Sequence, residues 1–144
     1  FRSVSCQRSR RRRRALEMKL LLDTNRLSDA LAEVDDVLAQ LESAESLFVP
    51  TIALGEIRSG FLRGRRLADN EKRLSWFLSQ NGVSTLGVDT SVSHRYAELH
   101  HVLRKKGRPI PTNDLWIAAI AVEHGLVLYT RDGHFESVPG LPCL

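Results

Sequence analysis

The chain has 144 residues, 42% of them hydrophobic and 26% charged, a length and balance that suit one globular domain and exclude a disordered chain. Its longest unbroken apolar run, Leu115 to Val122, is eight residues, far short of the roughly 20 a membrane-spanning helix needs, and the two cysteines, Cys6 and Cys143 near opposite ends, form no metal-ligand spacing and no disulfide scaffold, so a reducing cytosol is expected. The formal charge of +4 is uneven: residues 1–17 hold seven arginines against Glu17 alone, which leaves 14 basic and 16 acidic side chains in the remainder, so a basic nucleic-acid-binding body cannot be argued from the total.

Residues 1–17 lack apolar periodicity and carry a run of five arginines, whose mutual repulsion predicts a disordered, appended or upstream segment. An organelle-targeting leader or a phosphate-binding arm ranks below that reading. The folded domain is expected over residues 18–144. Leu20 to Leu22 is a short buried strand that delivers Asp23 at its carboxyl end. Asn25 to Leu41 has helical spacing, with a break near Asp35. Leu47 to Val49 predicts a second strand stopped by Pro50, after which Thr51 is expected to cap a helix running to about Arg63. Another helix is expected over Asp69 to Gln80, closed by Asn81-Gly82. A weak strand follows at Val83 to Val88, then a helix opened by Thr90 or Ser91 and ended by Arg104-Lys105-Lys106-Gly107. Thr112 is expected to cap the next helix, Gly125 to stop it, and Leu126 to Thr130 to form the last clear strand. Strands alternating with helices predict an α/β domain with a mainly parallel sheet, and in such sheets the site lies outside the carboxyl ends of the strands.

That rule selects four acids. Asp23 ends the first strand and Asp132 follows the last. Glu56 stands one turn into the helix after the second strand, and Asp114 lies in the first turn of the helix that feeds the final strand. Singly, Asp114 is explained by the helix dipole, Asp132 by a turn and Glu56 by solvation. Asp23 resists such an explanation because three leucines draw the chain inward just before it. Together the four would repel unless a cation were present, and hard oxygen ligands without cysteine or histidine point to Mg²⁺ or Mn²⁺. The five histidines lack a metal-binding spacing, and His134 is read as structural.

Leu21-Leu22-Asp23-Thr24-Asn25, Pro50-Thr51 through Glu56, Asn113-Asp114-Leu115-Trp116-Ile117-Ala118-Ala119 and Tyr129-Thr130-Arg131-Asp132-Gly133-His134-Phe135 together resemble the PIN-domain ribonucleases, and more closely the VapC-type toxins of bacterial toxin–antitoxin pairs. Val138-Pro139-Gly140-Leu141 is similar to that family's short last strand. The resemblance implies a three-layer α/β fold, a central mainly parallel sheet flanked by helices, and metal-dependent endoribonuclease activity. Carried over by position, Asp23, Glu56, Asp114 and Asp132 would hold Mg²⁺ or Mn²⁺, with Thr130 as a hydroxyl near the site. Asn25 departs from the Ser, Thr or Val of many members and is a candidate to support the metal ligands. The resemblance also implies an RNA substrate, a homodimer, and a VapB-type antitoxin that blocks the acidic groove. Lys105, Lys106 and Arg108 are read as a solvated helix end before they are read as phosphate contacts. Two rivals stand beside this reading. A strand-end aspartyl phosphatase would need a second aspartate where Asn25 stands, and a catalytically inactive PIN-like interaction module would keep the fold without cleavage.

Overall fold

The computed structural model describes residues 18–144; the expectation for residues 1–17 lies outside the described residues. Chain order is β1 (Lys19–Leu22), α1 (Thr24–Leu31), α2 (Asp35–Glu42), β2 (Ser46–Pro50), α3 (Thr51–Arg63), α4 (Leu67–Leu78), β3 (Val83–Leu86), α5 (Thr90–Lys105), α6 (Thr112–His124) and β4 (Val127–Tyr129), then a 3₁₀ turn, Gly133–Ser137. The four strands are parallel in the order β3-β2-β1-β4.

The order explains the layers. The chain steps outward from β1 to β2 to β3, then returns to the far side of β1 for β4. Parallel crossovers are right-handed, so reversing the direction of travel moves the connecting helices to the opposite face of the sheet. The alternating side chains of β1 record this: Leu20 and Leu22 pack with residues of α1 to α4, whereas Leu21 packs with α5 and α6. All three leucines are fully buried, and burial of each stabilises the fold by roughly 1.5–3 kcal/mol. A strand buried on both faces reads as a continuous apolar run, not an alternating one. The result is the expected three-layer arrangement, with helices on both faces of one parallel sheet.

The break expected near Asp35 divides the stretch after Asp23 into two helices, and Glu33 between them takes a φ of 58°, a left-handed conformation that costs a non-glycine residue roughly 1–2 kcal/mol. Several other local expectations need correction. Pro50 is not the stop of β2 but its last residue, paired with Leu86, and it occupies the cap position of α3, so Thr51 is the first helical residue. Pro111 likewise displaces Thr112 from the cap of α6. Proline suits these positions because its extended backbone and missing N–H cost nothing before the first helical bond. Helix α4 starts at Leu67 and ends at Leu78; Asn81-Gly82 forms the turn into β3, with Gly82 at φ 81°. The expected last strand at 138–141 is absent. The 3₁₀ turn covers 133–137 instead, and the chain rejoins the sheet as a single parallel bridge between Cys143 and Leu128. No helix among the described residues is long and apolar enough to cross a membrane.

Candidate active site

Between β1 and β4 the strand order reverses, and this is where an open parallel sheet leaves a crevice at its carboxyl edge. Asp23 follows β1 at that crevice and is held from three sides. Its backbone N–H donates to the Tyr129 carbonyl of β4 (3.0 Å), and its own carbonyl accepts the first bond of α1, from Leu27 N–H (3.0 Å). Its carboxylate caps α1 by accepting the Thr24 N–H at Oδ1 (2.8 Å). The three leucines before it anchor the strand, so the carboxylate is carried inward to 3% exposure.

Among the described residues, Asp23 and Thr130 are the two buried polar side chains, and they are bonded to each other. Thr130 Oγ1 donates to Asp23 Oδ2 at 2.7 Å across 107 residues of sequence. The same oxygen accepts the backbone N–H of Asp132 at 3.0 Å. Thr130 therefore links the first acid to the turn that presents the last. Asn25 spans the same gap: its Nδ2 donates to Asp23 Oδ2 (3.3 Å), and its Oδ1 accepts the Arg131 N–H (3.3 Å).

Asp114, in the first turn of α6, and Asp132 meet over this crevice. Each offers a carboxylate oxygen, and His134 a ring nitrogen, all within 4.8 Å of one another. His134 Nε2 lies 2.8 Å from Asp114 Oδ2, so the imidazole orients that carboxylate in the manner of an outer-shell partner at metal sites. Glu56 joins from the other side. Its Oε1 accepts the Thr24 hydroxyl at 2.8 Å, which ties α3 to the residue following Asp23. Glu56 does not bond any of the other three acids directly.

The electrostatics follow from this crowding. Burial pushes the Asp23 carboxyl above its ordinary value of 3.8; the Thr130 and Thr24 hydrogen bonds pull it down, and the charges of Asp114 and Asp132 push it up again. A buried carboxylate raised by its own neighbours is the condition a divalent cation relieves. Carboxylates dominate the donor set, which suits hard, oxygen-seeking ions such as Mg²⁺ or Mn²⁺. The residues present fit such an ion.

Sequence reasoning missed two participants. Thr24 was unremarkable beside Asp23, and its bond to Glu56 depends on how α3 lies against α1. His134 was read as structural, because its contact with Asp114 joins residues 20 positions apart through the sheet edge. Lys105, Lys106 and Arg108 are exposed at and just beyond the end of α5, and none forms an ion pair among the described residues.

The PIN domain family model matches residues 20–141. Ribonuclease VapC4 of Mycobacterium tuberculosis is 36% identical over 96 residues, covering 67% of this chain and 74% of that protein. VapC ribonuclease Y4jK of Sinorhizobium fredii is 32% identical over 133 residues, covering 87% of this chain and 95% of that one. Among solved structures, VapBC2 from Rickettsia felis bound to a DNA fragment from its promoter superimposes with a TM-score of 0.80 at 26% identity, over 88% of this chain and 98% of that one.

Proposed function

Because this chain belongs to the PIN-domain family, we propose that it is a VapC-type endoribonuclease toxin, dependent on Mg²⁺ or Mn²⁺ and neutralised by a cognate VapB-type antitoxin. The relatives named as VapC ribonucleases and the VapBC complex from Rickettsia felis support the activity and the partner class. The observation that carries the reading is the buried Asp23–Thr130 pair beneath Asp114 and Asp132. Capping α1 accounts for a carboxylate at the end of β1, but not for holding it at 3% exposure beside Asp114 and Asp132, since each such charge opposes the others.

Asp23, Asp114 and Asp132 would hold the cation, with Glu56 facing it across the Thr24 hydroxyl. When bound, a divalent cation offsets the negative charge of a phosphodiester and lowers the pKa of water. The protein's own part is positioning. Thr130 and Asn25 hold Asp23 in one rotamer, His134 holds Asp114, and the Asp132 backbone is pinned through Thr130. Groups held this way need no rearrangement when the phosphate arrives.

The test is cleavage of structured RNAs by purified protein with Mg²⁺, with Mn²⁺ and with EDTA. Cutting in either metal, abolished by EDTA and by Asp114→Asn, is the expected result. Expression without the antitoxin should arrest growth of a bacterial host, and Asp23→Asn should relieve the arrest while the protein still accumulates. A folded wild type that cuts no RNA with either metal would leave the chain as a PIN-like interaction module.

A further inference from the structure

A groove of about 510 Å³ leads away from the acids along α3, lined by Ile52, Gly55, Glu56, Ser59 and Arg63 with Asn113 at the start of α6. Positions 52, 55, 56, 59 and 63 recur at helical spacing, so one face of α3 forms its length. The space before Gly55 is open, since a Cβ built there meets no heavy atom within 4 Å. One end of the groove is chemically committed: Glu56 is bonded to Thr24, and Asn113 precedes Asp114. The other end carries Arg63, two turns after Glu56, or about 10 Å of rise along the helix.

The arginines of this region divide into two kinds. Arg58 is paired with Glu71 and Arg73 donates to the Leu31 carbonyl. Arg63, Arg65 and Arg66 form no ion pair among the described residues and stand exposed where α3 turns into α4. A cation at a helix carboxyl end complements the dipole, but that role does not require its side chain to wall a groove shared with Glu56. A polyanion that must reach a cluster of carboxylates is repelled by them, and residues 18–144 carry a net charge of −2. Cations near the cut therefore have to be local.

We propose that the α3 groove is the track for a single RNA strand, in which Arg63 holds a backbone phosphate flanking the one to be cut. This rests on the ribonuclease reading and specifies how the strand is held. The planar guanidinium grips a phosphate through two parallel N–H donors. Ser59 between Glu56 and Arg63, and Asn113 beside Asp114, line the groove with neutral hydrogen-bonding groups, so the phosphate contact sets position and not sequence.

The full chain is used for the test, with fluorescent polyuridylate as the probe. Binding is read by anisotropy in EDTA across a range of salt, and cleavage kinetics in Mn²⁺. Loss of one phosphate contact makes the slope of log K against log salt shallower by about 0.7. Arg63→Ala is expected to lose that much and to raise KM with kcat little changed. Arg63→Lys should keep the slope. Lys19→Ala, which removes a charge at the opposite edge of the sheet, should match wild type in KM. Circular dichroism checks that each variant is folded. If wild type binds and cuts but Arg63→Ala matches it in both slope and KM, the groove is not the track, and the ribonuclease reading stands. If Arg63→Ala weakens only the complex with the antitoxin, the groove belongs to a protein segment and the inference is overturned. If wild type neither binds nor cuts, the ribonuclease reading fails and takes the inference with it.

Discussion

Thr130 is the smallest change by which the site can be tested without touching a charge. Its hydroxyl donates to Asp23 and accepts from the Asp132 backbone, whereas valine has the same shape and neither capacity. Partners of this kind typically account for 10–100-fold in metal affinity or activity. Thr130→Val should therefore lower cleavage by about that factor, read as initial rates across a Mn²⁺ titration, with partial recovery at high Mn²⁺. Asp23 makes a second case at this scale. Its carboxyl is raised above 3.8 by burial first and by Asp114 and Asp132 after that, so the ionised form destabilises the metal-free fold. That penalty is absent below the unfolded value, grows as pH rises between the two, and is complete above the raised folded value. In EDTA at neutral pH, Asp23→Asn should melt at or above the wild-type temperature while its cleavage is abolished. A clearly lower melting temperature in EDTA would make Asp23 a structural hydrogen-bond acceptor.

Helix termini carry much of the information at the scale of elements. Asp89 caps α5 through its carboxylate, which accepts the Val92 N–H at 2.9 Å. It is chemically the same device as Asp23 on α1, yet it lies outside the cluster and is solvent-exposed. Asp89→Ala should cost about 1 kcal/mol of stability, read by urea denaturation, and leave the cleavage rate of the folded protein unchanged. The contrast separates an acid that serves a helix from one that serves the site. Helix α6 shows the other end of the same rule: Gly125 takes φ 64° and ψ 35°, a left-handed stop that glycine adopts without a Cβ penalty. That stop fixes the length of α6, and so keeps Asp114 at the edge where β4 delivers Asp132.

At the scale of the molecule, cation and fold should be thermodynamically linked. A ligand bound only by the folded state raises stability by mass action, and here it also cancels repulsion among the acids. Adding Mn²⁺ should raise the melting temperature of wild type, and of Asp114→Asn by distinctly less, as followed by calorimetry. Removal of residues 1–17 should leave circular dichroism native and metal-dependent cleavage intact. Among the described residues the chain is tied to the sheet from Met18 onward, whose carbonyl accepts the Glu45 N–H at 2.9 Å beside the first strand. A retained spectrum with lost cleavage at physiological salt would assign the arginines a role in substrate binding, and a milder loss that vanishes as salt rises would mark nonspecific phosphate attraction.

What was legible in the sequence was local or periodic. Leu20 to Leu22 could be read as a buried strand because burial on both faces demands an unbroken apolar run. Asp23, Glu56, Asp114 and Asp132 could be selected because a parallel sheet directs the ends of its strands to one edge. Gly125 could be read as a stop because its backbone freedom is intrinsic to the residue. The sequence was weaker where two locally adequate residues compete for one position. Pro50 against Thr51 and Pro111 against Thr112 were decided by where the preceding extended segment ended, which depends on pairing and packing beyond the local motif. Only the tertiary structure decided which acids touch what. Thr130 meets Asp23 because β4 lies beside β1, Thr24 meets Glu56 because α1 and α3 share one face of the sheet, and His134 meets Asp114 because the turn after β4 folds over the start of α6. These are contacts between elements distant in the chain, set by strand order and crossover handedness, and no spacing within a motif encodes them.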